Sequence, residues 1–382
     1  MRIVYPYNEI LPKKTAHDVY VFHNCLSLSK VGFQVELFCG KGSLENKNLC
    51  QHYNISRLEE LKIRRLPILR KNIFSFSWNR VFFFFTQRKM ERLRPEIAIF
   101  SVLKQGEYHF QRKIFNIRYV YEVHQLAWYP YMSLNQNSEA VKYECSVLKR
   151  ADLITVTTDG MRQILLSPPY LLKNPIKVVP LAVDAKPLPL KSHSREPLFI
   201  MYVGQLYKEQ GLEILIRALA KTEGIFLEIL GGREEEIKFL QRLALRLEVS
   251  KRIHFRGFCL PSEIPCFVEK ADAFVAPFDF SGRMPYVAHT KLIEYASWGR
   301  PTIVPDMPVV REHFKCARGV LFFEPGNDSD LARCLNEMKS SRLRRHLQSR
   351  MLEDQKNSWD MRSICYGEIL KDLVSSKNNI IA

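Results

Sequence analysis

The stretch Leu198-Phe-Ile-Met-Tyr-Val-Gly-Gln-Leu-Tyr-Lys-Glu-Gln-Gly-Leu-Glu-Ile-Leu-Ile-Arg-Ala-Leu-Ala220 decides how the rest of the chain is read. Leu198 to Val203 is an apolar run without alternation, the pattern of a strand covered on both faces. Gly204 ends the run, a short polar loop follows, and after Gly211 apolar residues recur at helical spacing. Strand, glycine turn, polar loop and helix make one βα unit. Such a unit brings backbone amides close to a ligand, and here Lys208 adds a charge. Any βα unit has these features, so its meaning depends on its surroundings.

Outward from this unit the same grammar repeats. Upstream, short apolar runs occur at Ile3–Tyr5, Gln34–Cys39, Ile97–Phe100, Tyr119–Val123, Leu153–Thr157 and Lys177–Val179. Downstream they occur at Phe226–Leu230, Ile253–Phe255, Ala273–Ala276, Thr302–Val304 and Val320–Phe323. Amphipathic stretches separate most of them, which is the pattern of parallel α/β sheets. The two series predict two doubly wound, Rossmann-like domains facing a cleft. Between the series, Asp184 to Pro197 holds three prolines and interrupts the periodicity. The expected division is an N-terminal domain over 1–186, a linker over 187–197, a C-terminal domain over 198–356, and a helical segment over 357–382 that packs back on the N-terminal domain.

The chain has 382 residues, ample for two cores, and its 46% hydrophobic content excludes a disordered or collagen-like polymer. Its nine cysteines include no C-x-x-C pair, so neither a zinc site nor a disulfide framework is expected. The start, Met1-Arg2-Ile3-Val4-Tyr5-Pro6, reads as a strand, not a signal peptide, and no window reaches the roughly 20 apolar residues of a membrane span. A cytoplasmic protein is expected, with peripheral contact to a membrane left open. The net charge of +17 is regional: residues 1–186 carry +13 and residues 187–382 only +4.

A second informative segment is Tyr286-Val-Ala-His-Thr-Lys-Leu-Ile-Glu-Tyr-Ala-Ser-Trp-Gly-Arg-Pro-Thr-Ile-Val-Pro-Asp306. It reads as a loop, a helix from His289 or Thr290 that Gly299 and Pro301 stop, and a buried strand. With its N-terminus turned to a ligand, the amides near Thr290 and Lys291 and the Lys291 ammonium form an anion site suited to a diphosphate. Glu294, at i+3 from Lys291, would accept hydrogen bonds from a ribose diol. An ordinary solvated Lys–Glu pair is the alternative. Gly231-Gly232, after the run Phe226–Leu230, offers another close backbone approach or a simple tight turn.

Together, Tyr202-Val-Gly-Gln-Leu-Tyr-Lys-Glu-Gln-Gly211, Gly231-Gly232, His254-Phe-Arg-Gly-Phe258, Ala271-Asp-Ala-Phe-Val-Ala-Pro277 and Lys291-Leu-Ile-Glu-Tyr-Ala-Ser-Trp-Gly-Arg-Pro301 resemble the nucleotide-sugar-binding domain of family 4 glycosyltransferases of the GT-B fold. In the N-terminal half, Gly32-Phe-Gln-Val-Glu-Leu37 resembles the family's second strand. Tyr119-Val-Tyr-Glu-Val-His124 resembles the strand that carries its active-site histidine.

The resemblance implies sugar transfer from a nucleotide-diphosphate sugar with retention of configuration, without a bound metal or other cofactor. It implies that Glu294 holds the donor ribose, that the amides at Thr290 and Lys291 hold the diphosphate, and that His124 faces the transferred sugar. Gly204, Gln205, Lys208, Gln210, Gly231 and Phe258 complete the expected donor site. Three departures stand out. Gln205 and Gln210 occupy positions where the family has basic residues, leaving Lys208, Lys291 or Arg283 to supply charge. Tyr286 stands where the first glutamate of the family's pair belongs. Leu11-Pro-Lys-Lys-Thr-Ala-His17 replaces the N-terminal glycine-rich loop, making Lys13, Lys14 and His17 candidates for acceptor or phosphate contacts. A nucleotide-sugar epimerase of the same fold and a catalytically silent relative also fit these residues.

Residues 62–96 hold ten Lys/Arg and two acids, interleaved with Phe74, Phe76, Trp78 and Phe82–Phe85. Basic and aromatic side chains together suit an anionic membrane surface, and with it a lipid-linked or other glycan acceptor. The alternative is a core of phenylalanines under a solvated basic face. No zinc finger, helix-turn-helix or RNA-recognition signature accompanies the charge, so nucleic acid is not an expected partner.

Overall fold

A computed structural model describes residues 1–13, 15–40, 49–50, 52–53, 55, 57–58, 60–68, 79–126, 139–183, 187–189, 197–259, 263–314, 319–353 and 358–376. Two compact units divide the chain, one made of residues 1–180 with 359–382 and the other of residues 181–358.

The first unit is built on seven parallel strands: β1 (Arg2–Ile10), β2 (Gln34–Gly40), β3 (Lys62–Leu66), β4 (Ile97–Phe100), β5 (Arg118–Val123), β6 (Leu153–Val156) and β7 (Ile176–Val178). Their order is β3-β2-β1-β4-β5-β6-β7. All four residues of β4 and of β6 are buried, as apolar runs without alternation require. The edge strand β3 differs. Its Lys-Ile-Arg-Arg-Leu alternates in exposure, Arg64 pairs with Glu36 of β2 at 3.0 Å, and Arg65 donates to the Leu11 carbonyl at 2.5 Å. Charged side chains of this kind protect a sheet edge from unwanted pairing.

Local chemistry sets the helix starts. Thr15 caps the helix Ala16–Lys30 by accepting from the Asp18 amide at 3.2 Å, and Thr158 caps Asp159–Leu166 through the Met161 amide at 3.1 Å. Each cap contributes about 1 kcal/mol. The last described helix, Trp359–Ser375, packs on Ala16–Lys30, and its Gly367 lies so close to the Phe33 ring that an added Cβ would sit 2.9 Å from it.

The second unit has six parallel strands: β8 (Leu198–Val203), β9 (Ile225–Leu230), β10 (Ile253–Gly257), β11 (Ala273–Val275), β12 (Thr302–Pro305) and β13 (Val320–Phe323). They run in the order β10-β9-β8-β11-β12-β13. Successive residues of β8 feed different cores: Leu198, Ile200 and Tyr202 enter one, Met201 and Val203 the other. Each large apolar side chain so buried contributes roughly 1.5–3 kcal/mol. In both sheets the strand order changes direction at one place, between β1 and β4 and between β8 and β11. Open α/β sheets bind ligands beyond the carboxyl ends of the strands at such a place.

The loop after β8 is held by close backbone contacts. Gly211 has φ +73° and a Cβ there would fall 1.9 Å from the Pro277 carbonyl, while a Cβ on Gly231 would fall 2.2 Å from the Gly204 carbonyl. Only glycine permits these approaches. Among the described residues, no helix is long and apolar enough to cross a membrane.

Candidate functional site

In the second unit the site forms where β8 ends. The helix Thr290–Ser297 lies against this strand, its Tyr295 hydroxyl accepting from the Val203 amide at 2.8 Å. One turn earlier Lys291 extends its ammonium to the Tyr202 hydroxyl and to Gln210 Oε1, both at 2.5 Å. The same nitrogen is 4.0 Å from the centroid of the Tyr202 ring and 5.2 Å from that of Phe278. Tyr202 passes its own hydroxyl proton to the Gln205 carbonyl at 2.5 Å. A Cβ on Gly204 would lie 2.9 Å from the ammonium, so this glycine makes the space that Lys291 fills.

Tyr202 and Gln210 are neutral partners, and no carboxylate of a described residue lies within ion-pair distance of Lys291. Burial lowers its pKa well below that of an ordinary lysine, with the charge of Glu294 acting in the opposite direction. A partly desolvated cation with no described counter-charge within ion-pair reach is a seat for an anion. Burial likewise raises the Glu294 carboxyl to about 7, against the pull of Lys291. The two side chains form no ion pair, which sets aside the reading of a solvated Lys–Glu couple. The Glu294 carboxyl has no hydrogen bond from a described residue.

His289 precedes the helix without capping it. Its ring stacks on Phe278 at 4.1 Å and its Nε2 donates to the Met284 carbonyl at 2.9 Å, leaving the first helical amides with no side-chain cap. Thr290 is exposed at this end. The structure thus gathers Gly204, Gln205, Gln210, Gly231 and Lys291 at one place, with Glu294 one turn further along. Phe258, 63% exposed, follows Gly257, whose carbonyl accepts from the Gly231 amide at 2.6 Å. Lys208 and Arg283 are exposed, and no described contact ties Lys208 to Lys291. Tyr286 is buried. Sequence reasoning missed Tyr202, although a tyrosine one residue before the end of a buried strand signals a polar tip at a sheet end.

In the first unit His124 directly follows β5. Its side chain is 22% exposed and its Nε2 lies 3.6 Å from Oε2 of the buried Glu122. Glu122 accepts from the Tyr5 hydroxyl at 2.7 Å and from Asn24 Nδ2 at 3.2 Å. Burial alone would raise this carboxyl. The nearby His124 ring, the charge of Arg362 and the Tyr5 hydroxyl outweigh it and hold the group at about 2. The rings of Tyr20 and His17 flank His124 at 4.4 and 5.5 Å. Burial, with His124 next in importance, lowers His17 to about 4, so this ring is neutral. Lys13 pairs with Glu9 at 3.2 Å, and Lys14 lies outside the described residues.

The helix Asn79–Leu93 divides its four phenylalanines. Phe82 and Phe83 are buried, whereas Phe84 and Phe85 are exposed by 47% and 39% on the face that also carries Arg88 and Arg92. Arg70, Lys71, Phe74, Phe76 and Trp78 lie outside the described residues. Among the described residues no group of three His, Cys, Asp or Glu is placed to hold a metal.

Residues 190–357 match the family model of glycosyl transferases group 1. The second unit is therefore a glycosyl transferase group 1 domain, and the chain is a glycosyltransferase of the GT-B fold. Its structure is similar to that of sucrose-phosphate synthase from Thermosynechococcus elongatus, with a TM-score of 0.77, 17% identity and coverage of 98% of this chain and 99% of that one. It is also similar to HepE of Anabaena in complex with UDP-glucose, with a TM-score of 0.72, 14% identity and coverage of 98% and 100%. A third similar structure is the lipopolysaccharide outer core galactosyltransferase WaaB, with a TM-score of 0.68, 17% identity and coverage of 99% and 100%. At such identities the likeness is one of fold. No curated protein matches the chain in sequence.

Proposed function

We propose that this glycosyltransferase takes its sugar from a nucleotide-diphosphate sugar and passes it, with retention of configuration, to a lipid-linked or cell-surface glycan. The observation that carries the donor reading is Lys291, a half-buried ammonium on two neutral partners beside uncapped helical amides. The donor diphosphate supplies the missing negative charge. Lys291 thereby takes over from the basic residues that Gln205 and Gln210 replace, with Gln210 serving to hold the ammonium. Glu294 accepts the ribose hydroxyls, and HepE, a protein of the same fold, binds UDP-glucose.

In the reaction the bond from the sugar's anomeric carbon to the diphosphate breaks, and a bond from the same carbon to the acceptor oxygen forms. The acceptor's hydroxyl proton leaves with the diphosphate. The charge developing on the diphosphate is stabilised by Lys291 and the amides of Thr290 and Lys291. His124 faces the transferred sugar. No metal takes part in this reading.

For the acceptor, the support is the exposed Phe84–Phe85 face with Arg88 and Arg92, which suits an anionic membrane on its cytoplasmic side. The similarity in fold to a lipopolysaccharide galactosyltransferase points the same way. A panel of nucleotide sugars, read by thermal shift and by sugar release, tests the proposal. One donor is expected to stabilise the protein and to be hydrolysed slowly. Inversion of a sugar centre would indicate an epimerase, and no shift with any donor would refute donor binding.

A further inference from the structure

Glu122 has no part in the donor site, yet its surroundings are the most elaborate in the first unit. It is 2% exposed and sits in β5 two residues before His124. Tyr5 from β1 and Asn24 from the helix Ala16–Lys30 each donate to one of its oxygens. Arg362, from the helix Trp359–Ser375, donates through one guanidinium nitrogen to Asn24 Oδ1, through another to the Tyr20 hydroxyl at 2.6 Å, and through Nε to the Pro180 carbonyl at 2.9 Å. With its oxygen taken by Arg362, the Asn24 amide is fixed so that its NH2 faces Glu122. Four segments thus cooperate to hold one carboxylate still and ionised.

What that carboxylate faces is His124 Nε2, at 3.6 Å, a nitrogen buried and without a hydrogen-bond partner. An ionised carboxylate only accepts, so the nitrogen turned to it is the protonated one. The geometry points to Glu122 as a positioning residue that keeps His124 in the Nε2–H tautomer and leaves Nδ1 as the bare nitrogen for a ligand. Nδ1 has no bond to any described residue. Tyr20, set edge-on to the imidazole at 4.4 Å, restrains the ring in this orientation. His124 then accepts a hydrogen bond from a sugar hydroxyl. This last consequence rests on the proposed role of His124, whereas the tautomer does not.

The test is a long-range nitrogen–proton NMR spectrum of the full chain labelled with nitrogen-15, with His124 assigned by its loss in His124→Gln. In wild-type protein with the imidazole neutral, Nε2 is expected to be the protonated nitrogen and Nδ1 the bare one. Glu122→Gln offers a single acceptor oxygen, which cannot serve Tyr5, Asn24 and His124 together, so both tautomers are expected to appear. Its kcat falls at least tenfold with little change in donor KM. Tyr5→Phe keeps the carboxylate and is expected to keep the wild-type tautomer. A wild-type His124 protonated on Nδ1, or a Glu122→Gln spectrum identical to wild type, overturns the proposal. The wild-type spectrum decides even if the variant fails to fold. Full turnover in His124→Ala would remove the sugar-facing role and leave the tautomer result standing.

Discussion

The ammonium of Lys291 rests on the side-chain oxygen of Gln210 at 2.5 Å, so a glutamine at a position of expected positive charge holds a charge delivered from another element. The cation at this place comes from the helix Thr290–Ser297 and not from the loop after β8. Replacing it should therefore separate binding from folding. Lys291→Met is expected to weaken binding of the donor's nucleoside diphosphate, identified from the donor panel, 10- to 100-fold, corresponding to a charge-assisted bond of about 1.5–3 kcal/mol. Its thermal stability without ligand should equal or exceed wild type, because a partly desolvated cation has been removed. Isothermal titration and a melting curve measure the two; unchanged affinity would reject the assignment.

Glu294 gives the site a pH dependence whose sign follows from its raised pKa of about 7. A carboxyl raised above its unfolded value stabilises the fold while protonated and loses that contribution as pH rises from about 4.5 to about 7. Wild-type protein without ligand should thus lose on the order of 2 kcal/mol relative to Glu294→Gln across this interval. Nucleotide binding should run the other way, tightening between pH 6 and 8 as the carboxylate forms, and should lose this trend in Glu294→Gln.

Arg362 lies 7% exposed and makes hydrogen bonds to Asn24, Tyr20 and the Pro180 carbonyl. Arg362→Met breaks all of them and strands the Glu122 carboxylate without its nearby cation. A loss of about 3–5 kcal/mol in the stability of the first unit is expected, measured by denaturant unfolding. The second unit should keep its nucleotide affinity.

The exposed pair Phe84 and Phe85 invites a direct membrane test. Phe84→Ser/Phe85→Ser is expected to reduce co-sedimentation with anionic vesicles severalfold without changing the melting temperature, since both rings already face solvent. Binding that is equally absent from anionic and neutral vesicles in wild-type protein would refute membrane contact.

The two sheets were legible in the sequence because their strands are short, largely apolar runs, and twelve of the thirteen described strands contain such a run, even where a Glu, Lys or His interrupts it. β3 carries none: Lys62, Arg64 and Arg65 are there because an edge strand is half solvated, and period alone does not separate such a strand from a loop. At the candidate site beside the end of β8 the motif glycines and Lys291 were readable, since close backbone approach and helix starts leave local marks. That Lys291 turns to Tyr202 and Gln210, and not to Glu294, was not readable, because i and i+3 spacing fixes a shared face but not a partner. Glu122 and Arg362 were missed for a plainer reason. Their relation joins positions 240 residues apart, and neither residue has a local pattern that announces the other.

The place of the helix Trp359–Ser375 bears on how the protein is made. It belongs with residues 1–180, and it brings Arg362, Tyr366 and Leu370 into their interior. On the ribosome the first-made sheet must therefore wait, unfinished, while residues 181–358 emerge and fold as a unit of their own. The half synthesised first is the half completed last.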